Sequence, residues 1–461
     1  MNNNLTMDKL VSLCKNRGII FAGSEIYGGM GNTWDYGPIG VEIKNNIKKI
    51  WWKKIVQEHN NVYGVDPAIL MNPRVWDASG HTSGFSDPKM DCKNCKTRHR
   101  ADNLIEDYNN KHNIEMNVDA MTNEEMENYI KEHGIKCPKC GNSNFTEIKN
   151  FKLMFETHRG VVEGDTDIVY LRPETAQGEY VNFLNVQRSM RAKVPFGIAN
   201  IGKAFRNEIT PGNFIFRTIE FEQMEHQFFC DEKDGMKYYE YYKNFSMEFF
   251  KSLGINPNKL RFKDHDKLAF YAKAACDVQY EFPFGWQELN GTHLRGTWDL
   301  SRHQEYSGKS MEYLDPFTNE KFIPTVVEHT IGCDRCMLTV LCDAYNEEML
   351  ENGETRVVMK IHPALSAFKL AILPLMKKEH SEKAQNLFNE FSKYFNCDYD
   401  DSGSIGKRYR RHDEIGTPFC LTVDDNTLKD NTVTIRFRDS MEQITIKIDK
   451  VKDFVLDKIF V

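Results

Sequence analysis

Residues 202–229 have the sequence GKAFRNEITPGNFIFRTIEFEQMEHQFF, and this stretch decides the fold of the chain. It predicts two β-strands joined by a loop. Pro211, Gly212 and Asn213 are residues that favour turns, and the segment after them is rich in the Ile, Phe and Thr that strands prefer.

Alternation along the two predicted strands brings charged and aromatic side chains onto one sheet face. They are Arg206 and Glu208 on the first strand, and Arg217, Phe221 and Glu225 on the second. Arginine binds phosphate through paired hydrogen bonds, an aromatic ring stacks on a base, and a carboxylate binds an ammonium group. This face therefore predicts a site for ATP beside an amino acid, although a solvated antiparallel ribbon shows the same alternation.

Length and composition are those of a globular protein with more than one domain. A chain of 461 residues has room for two or three domains that each bury a core. No apolar run is long enough to span a bilayer, and the N-terminus lacks the pattern of a signal peptide. We therefore expect a cytoplasmic protein with no membrane attachment. The net charge of −7 leaves RNA binding open, because a local basic patch is sufficient for it.

Four of the twelve cysteines form two C-x-x-C pairs, Cys92 with Cys95 and Cys137 with Cys140. Two such pairs can place four thiolates at the corners of a tetrahedron, which favours a structural zinc ion with no open coordination position. The alternative is four free buried thiols at incidental spacing. The pairs predict a zinc-binding module inserted at about residues 90–150.

The sequence RPETAQG, residues 172–178, precedes a predicted helix that continues through Arg191. Pro173 suits the first turn of a helix, and the helix dipole favours an acid there. Glu174 therefore has a structural explanation as a first-turn acid, and a role in binding substrate is the alternative.

Periodicity predicts further elements along the chain. Before and after residues 202–229, helices are expected at about 40–59, 238–253 and 267–277, and strands at 62–71, 151–155, 167–171 and 260–262. A strand at 322–328 is followed by Gly332 and Arg335 at the start of a helix, where the helix dipole favours phosphate.

The pattern of elements changes near residue 354. A strand from Val357, a helix, a second helix at 384–395 and strands at 432–437 and 444–448 predict a separate small α/β domain. Within it, GKRYRRH at 406–412 is a basic and aromatic cluster suited to RNA, although short basic runs are ordinarily solvated surface.

These motifs together resemble those of the class II aminoacyl-tRNA synthetases. Residues 202–229 are similar to motif 2 of that family, residues 322–345 to motif 3, and the helix and strand at about 40–73 to motif 1. RPETAQG and the run EQME at 222–225 resemble the glycyl branch in particular. The resemblance implies an α+β fold: a class II antiparallel-sheet catalytic domain at 1–350, a zinc-knuckle insertion, and a C-terminal α/β anticodon-binding domain at 355–461.

The resemblance also implies the reaction. The carboxylate of glycine attacks the α-phosphate of ATP, and the resulting glycyl-adenylate passes its glycyl group to the cognate tRNA. Catalysis is then positioning and charge stabilisation, because the substrates supply both nucleophile and leaving group. The implied catalytic residues are Arg206, Arg217 and Arg335.

Two sets of binding residues follow from the same resemblance. The ATP-binding set is Arg206, Asn207, Glu208, Phe216, Arg217, Phe221, Glu288, Leu289, Gly332 and Arg335, with Glu288 also implied as a ligand of Mg²⁺. The glycine-binding set is Arg100, Glu174, Phe221, Glu225, Arg295, Glu328 and Thr330. For Arg100, a solvated basic surface is an equally good explanation.

The chain differs from the family pattern in two places. Gly296-Thr297-Trp298 follows Arg295 where Thr-Asp-Tyr is usual, and His329-Thr330 follows Glu328 where Pro-Ser is usual. A synthetase for another amino acid would lack RPETAQG and EQME, and a non-catalytic relative would lack Arg206, Phe221 or Arg335. All are present, so we expect an active enzyme that is homodimeric through motif 1.

Overall fold

The computed structural model describes residues 5–114, 116, 118, 121–160, 167–208, 212–265, 268 and 272–460. The chain forms two compact units, one of residues 1–68, 174–203 and 212–461 and the other of residues 69–173 and 204–211. Pro211 of the predicted turn, and most of the first half of the helix predicted at 267–277, lie outside the described residues.

Helices and strands alternate irregularly along the chain, as expected for an α+β protein. The helices are α1 Met7–Asn16, α2 Pro38–Trp52, α3 Arg74–Ala78, α4 His81–Gly84, α5 Ala101–His112, α6 Asn123–Glu132, α7 Ala176–Val181, α8 Phe183–Ser189, α9 Gly235–Ser252, α10 Trp298–Ser307, α11 Cys333–Ala344, α12 Lys377–Phe391, α13 Ile405–Ile415, α14 Asp425–Asp430 and α15 Ile448–Lys458. The strands up to the end of the motif 2 region are β1 Ile20–Ala22, β2 Trp34–Tyr36, β3 Val62–Gly64, β4 Ser86–Asp91, β5 Arg98–Arg100, β6 Lys149–Lys152, β7 Glu156–Arg159, β8 Asp167–Tyr170, β9 Phe196–Phe205 and β10 Glu220–Cys230. The later strands are β11 Leu260–Asp264, β12 Ala274–Phe282, β13 Gly285–Gly296, β14 Tyr313–Leu314, β15 Lys321–Phe322, β16 Thr325–Gly332, β17 Tyr345–Met349, β18 Thr355–Met359, β19 Leu370–Pro374, β20 Cys397–Tyr399, β21 Phe419–Val423, β22 Thr432–Phe437 and β23 Gln443–Lys447.

A seven-stranded sheet forms the centre of the larger unit, in the spatial order β11-β12-β13-β16-β10-β9-β3. The registers of β11 to β13, β13 with β16 and β16 with β10 are antiparallel, and β3 joins β9 in parallel. Helices α2, α9 and α11 contribute to the large hydrophobic core of this unit, which includes Trp51, Phe250 and Met337. The sheet confirms the predicted antiparallel architecture.

Helix α2 shows how local sequence sets the packing of this core. It starts with Pro38 in its first turn, where a missing N–H costs nothing. Gly40 lies so close to the preceding segment that a Cβ there would be 1.9 Å from the carbonyl oxygen of Ile19. The helix therefore needs glycine at this position to pack against β1.

Several predicted elements are wrong in extent or type. β9 ends at Phe205 and β10 begins only at Glu220, so Arg206, Glu208 and Arg217 lie in the connection between the strands. The strand expected at 62–71 stops at Gly64, and the described residues from 274 within the expected helix at 267–277 belong to β12. A helix expected directly after β18 is replaced by β19, a fully buried strand whose continuous apolar sequence has no alternation to show its type.

The smaller unit has its own sheet and core. Strands β5, β4 and β6 form an antiparallel sheet, and β7 pairs with β8. Helices α5 and α6 pack on this sheet around Met90, Leu104, Ile105 and Ile130. Thr122 and Glu125 form a reciprocal capping box that fixes the start of α6.

The C-terminal part of the larger unit is built on a five-stranded sheet of order β20-β19-β21-β22-β23. β19 is parallel to both neighbours, whereas β21, β22 and β23 are antiparallel. Helices α12 and α15 cover a core that includes Leu387, Leu421 and Val451. In the described part of the chain, no helix combines the length and the apolar character needed to cross a membrane.

Candidate active site

The register of β10 and β16 brings together two predicted acids of the glycine-binding set, Glu225 and Glu328. Glu225 on β10 is opposite Thr330 on β16, and Gln227 is opposite Glu328. Since directly paired residues point to the same face of a sheet, all four side chains line one buried patch. The Thr330 hydroxyl donates a hydrogen bond to Glu225, and the Gln227 amide donates to Glu225 at 2.8 Å and to Glu328 at 3.3 Å.

Glu225 is 1% exposed and is surrounded by neutral donors. Besides Thr330 and Gln227, the hydroxyl of Thr175 donates at 3.1 Å and the amide of Gln223 at 3.5 Å. Burial raises the pKa of Glu225 well above its usual value, and the charges of Glu328 and Glu174 add to that rise. A cation bound next to this carboxylate would relieve the cost of keeping it ionised.

Glu328 is equally buried, but its charge is compensated. Arg295 donates from Nη1 at 3.1 Å, and His293 Nδ1 lies 2.7 Å from the other carboxylate oxygen. Burial alone would raise the pKa of Glu328, but the charge of Arg295 and the hydrogen bond from His293 outweigh burial and lower that pKa to about 2. One acid of the pair is thus neutralised by protein groups and the other is not.

The sequence predicts that Arg295 binds the glycine carboxylate. In the structure its guanidinium binds two carboxylates of the protein. Its Nε and Nη2 atoms form a paired salt bridge with Asp299 at 2.7 and 2.9 Å, in addition to the contact with Glu328. The guanidinium is 8% exposed and already bonded to two carboxylates. The structure therefore supports a role for Arg295 in orienting Glu328.

Glu174 lies one residue before the N-cap of α7, which begins at Ala176. The interpretation of Glu174 as a first-turn acid is therefore wrong, because the helix starts later than the position of Pro173 suggests. Gln177 donates to Glu174 at 2.9 Å, and His303 is 2.8 Å from the same Gln177 side chain. These contacts orient the carboxylate without neutralising it.

A second group of predicted residues meets near the start of α11. The guanidinium of Arg335 lies 4.5 Å from the ring centroid of Phe216 and 3.2 Å from the carboxylate of Glu288. Gly332 lies directly before α11, and a Cβ there would make an ordinary contact with the Arg335 side chain at 3.4 Å. Phe216, Glu288 and Arg335 were all assigned to ATP, and the structure brings them together.

The other members of the ATP-binding set in the larger unit have different surroundings. Arg217 is exposed, in the connection before β10, where its backbone pairs with that of Gly212. Phe221 is half-buried on β10, on the same face as Gln223 and Glu225, and Leu289 is a core residue. A side chain in the core does not contact a ligand, so only the backbone of Leu289 is available to ATP.

Sequence reasoning missed a buried charge network beside this site. The Asp334 carboxylate accepts hydrogen bonds from Tyr36, from Lys44 at 2.7 Å and from the backbone N–H of Glu222 at 2.7 Å. Lys44 also lies 3.1 Å from the Glu222 carboxylate. Burial opposes the charge of Lys44 and by itself would lower its pKa. The negative charge of Asp334 is the largest of several contributions that together raise that pKa above its usual value. The network links β2, α2, β10 and α11, which no local pattern could reveal.

Gln223 and Gln227 were also missed as site residues, although a signal for them existed. Along β10 they alternate with Glu225, so the period of two that selected Glu225 places both amides on the same face.

The remaining predicted site residues lie in the smaller unit. Arg206 donates from Nε to the carbonyl oxygen of Pro173 at 3.0 Å, and its guanidinium is 5.4 Å from the ring of Phe85. Asn207 and Glu208 follow it, and the N–H of Asn207 donates to Leu153 at 2.8 Å. Arg100 is paired with Asp102 at 2.5 Å and with Asp87 at 3.0 Å, so its charge is balanced locally.

The four cysteines of the two C-x-x-C pairs converge in this smaller unit. Their sulfur atoms lie within 4.8 Å of one another, with Cys92 and Cys140 3.5 Å apart and Cys95 and Cys137 3.7 Å apart. Thiolates this close repel one another unless a cation lies among them, and four sulfurs are a common ligand set for zinc. The residues therefore fit a structural zinc ion.

Comparison with known proteins agrees with this geometry. Residues 161–402 match the family model described as the tRNA synthetase class II core domain (G, H, P, S and T), and residues 369–458 match the anticodon binding domain. The chain is 57% identical to the glycine–tRNA ligase of Clostridium acetobutylicum over 100% of both chains. It is 56% identical to the glycine–tRNA ligase of Acetivibrio thermocellus over 97% of both chains, and 56% identical to that of Clostridium kluyveri over 98% of both. The chain belongs to the glycine–tRNA ligase family of class II aminoacyl-tRNA synthetases.

Proposed function

We propose that this chain attaches glycine to its cognate tRNA in two steps, through a glycyl-adenylate. The observation that carries the proposal is the contrast between Glu225 and Glu328. Arg295 neutralises Glu328, whereas the groups that donate hydrogen bonds to Glu225 are all neutral. An amino-acid ammonium group is the natural partner for a buried carboxylate of this kind.

Selection of glycine follows from crowding around Glu225. Thr175, Gln223, Gln227 and Thr330 all bond to this carboxylate or to its neighbours, and the first three are at most 8% exposed. A larger amino acid would have to displace these bonded groups, which costs more than filling empty space. No amino acid is smaller than glycine, so the active site needs no editing step against smaller substrates.

ATP would be held by charge and stacking rather than by covalent chemistry. Arg335 and Arg217 would bind the γ-phosphate side, Phe221 would stack on adenine, and Arg206 would contact the α-phosphate, the role that motif 2 assigns to it. Glu288, whose side chain is 49% exposed, would hold Mg²⁺. When bound, this ion would neutralise developing charge on the pyrophosphate. The chain's own residues align the two substrates and stabilise the charge.

The same proposal covers the finer features of the molecule. Zinc on Cys92, Cys95, Cys137 and Cys140 would stabilise the inserted module at about 90–150, with the catalytic domain at 1–350 and the anticodon-binding domain at 355–461. A homodimer through motif 1 in the cytoplasm completes the proposal.

Amino-acid-dependent exchange between ATP and pyrophosphate, run across all twenty amino acids, tests this function directly. We expect exchange with glycine alone, followed by charging of tRNA that carries a glycine anticodon. Exchange with alanine or serine would contradict the assignment of the pocket. A folded, zinc-replete sample that shows no exchange with any amino acid would contradict the enzymatic proposal.

A further inference from the structure

His265, Asp277 and His293 form a second group of metal-ligating side chains in the larger unit, apart from the cysteines. One nitrogen of each histidine and one oxygen of Asp277 lie within 4.8 Å of one another. His265 Nε2 is 2.8 Å from Asp277 Oδ1, and the two imidazole rings are 5.5 Å apart. We propose that these three side chains bind a divalent transition-metal ion of the zinc class.

The sheet explains why three distant residues converge. His265 directly follows β11 and its N–H bonds to Ala275 of β12, Asp277 lies on β12, and His293 lies on β13 opposite Ala275. Gly291, opposite Asp277, makes room for the ring of His293. A Cβ on Gly291 would be 3.3 Å from His293 Nε2 and 3.8 Å from Asp277 Oδ1, so this nitrogen and this oxygen share the space above the glycine.

The hydrogen bond of His293 supports the assignment independently. Its Nδ1 atom is 2.7 Å from the carboxylate of Glu328, which favours the tautomer with the proton on Nδ1. Nε2, on the side of Asp277, is then the nitrogen that faces a bound ion. A metal-binding histidine ordinarily donates its other N–H to a carboxylate or carbonyl in this way. Glu328 is therefore the outer-shell partner of the proposed site.

The donor set indicates which ions would bind. Two imidazoles and one carboxylate suit Zn²⁺, Co²⁺, Ni²⁺ or Fe²⁺ and leave coordination positions open for water. Mg²⁺ prefers oxygen ligands in an octahedron, so it should not compete here. Because His293 joins the ion to Glu328, occupancy should change the KM for glycine; this consequence rests on the proposed function, whereas binding itself does not.

Cobalt titration of the full-length protein tests the site. The cysteine site is first filled with one equivalent of Zn²⁺, and Co²⁺ is then added in the presence of excess Mg²⁺. We expect one further equivalent to bind with d–d absorption but without the intense thiolate-to-cobalt charge-transfer band. His265→Asn should weaken this binding by at least ~10-fold, since even losing an outer-shell partner has an effect of that size.

Three controls make the result decisive. The half-exposed His265 can be replaced with little risk to the fold, and thermal melting without added metal checks this point. His59→Asn, a histidine elsewhere in the same unit, should bind Co²⁺ like the unchanged protein. Asp277→Asn should weaken binding as His265→Asn does. If no second equivalent binds, or if it binds equally well in His265→Asn and Asp277→Asn, the proposal is wrong.

Discussion

At the scale of single residues, the site depends on two neighbouring acids that the protein treats differently. Glu225 and Glu328 both lie in the same buried patch, and Gln227 bonds to both. Arg295 and His293 lower the pKa of Glu328, whereas burial without a paired cation raises the pKa of Glu225. Such a separation of pKa values within one site assigns different roles to chemically identical groups. Glu328 is a fixed structural charge, and we propose that Glu225 is the charge left for the substrate.

Replacing Glu225 with glutamine tests that difference. In Glu225→Gln, we expect the KM for glycine in pyrophosphate exchange to rise by ~10- to 100-fold, because a hydrogen bond to a charged group contributes 1.5–3 kcal/mol. The free energy of unfolding should stay the same or increase, since the amide removes the cost of a buried carboxylate. Glu220→Gln on the exposed end of the same strand is the matched control. A variant with a normal KM for glycine would exclude Glu225 from ammonium binding.

Lys369 allows a prediction about pH at the same scale. Its ammonium group donates to the carbonyl oxygens of Ala364 and Ser366, each at 2.7 Å. Burial, and then the charge of Lys49, lower the pKa of Lys369 from 10.5 to about 7. The unfolded chain therefore binds more protons than the folded one between these two values, and this group makes stability rise with pH across that window.

The variant Lys369→Met should remove that part of the pH dependence. We expect the free energy of unfolding of the unchanged protein, minus that of the variant, to increase between pH 7 and pH 9 in urea titrations. Lys360→Met, at a lysine whose side chain is 40% exposed, should show no such trend. Parallel curves for the unchanged protein and Lys369→Met would contradict the lowered pKa.

Residue types were easier to predict than residue partners. Glu225, Glu328, Thr330 and Arg335 were named from sequence motifs, and the structure brings the first three together and Arg335 beside Glu288. That Arg295 binds Asp299 could not be predicted from local patterns. An arginine in a motif can bind substrate or protein, and only the packing of α10 against β13 decides which.

At the scale of elements, the buried network around Asp334 connects the helix of motif 1 to the strands and helix of motifs 2 and 3. Lys44 comes from α2, Glu222 from β10, and Asp334 from the first turn of α11, directly before Arg335. A shift of α11 would move Arg335 relative to Glu288. The network is therefore positioned to hold in place the groups that we propose bind ATP.

Lys44→Met removes this link, so it should lower the free energy of unfolding and raise the KM for ATP. Removing one member of a buried ion pair leaves the other uncompensated, so we expect a loss of about 3–5 kcal/mol in the free energy of unfolding. The KM for ATP should rise more than the KM for glycine, because Arg335 is next to the lost contact. Asn45→Met, at an exposed position on the same helix, is the control. Equal changes in both KM values would mean that the network stabilises the fold without positioning Arg335.

Element types were predicted well where the pattern was long and periodic. The helix from 238 and the strand at 432–437 agree with α9 and β22 to within a few residues. Predictions failed where the alternation typical of a strand was absent, or where it continued past the end of the strand. β19 is apolar at every position. The alternation continues through Arg206 and Arg217, although β9 ends at Phe205 and β10 begins at Glu220.

At the scale of the whole chain, part of the basic cluster predicted to bind RNA has a structural role. Within α13, Arg408 is buried and donates to the carbonyl oxygens of Pro374 and Gly403, and His412 is 1% exposed. Arg411 pairs with Asp400. These side chains hold the helix against its own sheet, whereas Lys407 is exposed and the Arg410 side chain is 40% exposed. A basic sequence can thus be structural when its helix buries one face.

A buried acid helps to join the hairpin of β17 and β18 to the C-terminal sheet. Asp413 on α13 accepts from Arg356 of β18 at 2.9 Å and from two nitrogens of Arg436 on β22 at 2.9 and 3.1 Å. Arg356 also contacts Glu348 on β17 at 2.6 Å. Because Asp413 binds both arginines, it couples the β17–β18 hairpin to the segment that matches the anticodon binding domain.

Asp413→Asn should separate the two steps of the reaction. Two buried guanidinium groups would lose their shared carboxylate, so we expect a loss of about 3–5 kcal/mol in the free energy of unfolding. At a temperature where the variant stays folded, glycine-dependent pyrophosphate exchange should be nearly normal, since Glu225, Arg335 and Glu288 are unchanged. Transfer to tRNA should fall more than ~10-fold, because we propose that tRNA contacts both the C-terminal sheet and the active site in a fixed geometry. As a control, Asp439→Asn, at an exposed partner of Arg438, should affect neither step. An equal loss of exchange and transfer in Asp413→Asn would show that Asp413 supports the core as a whole.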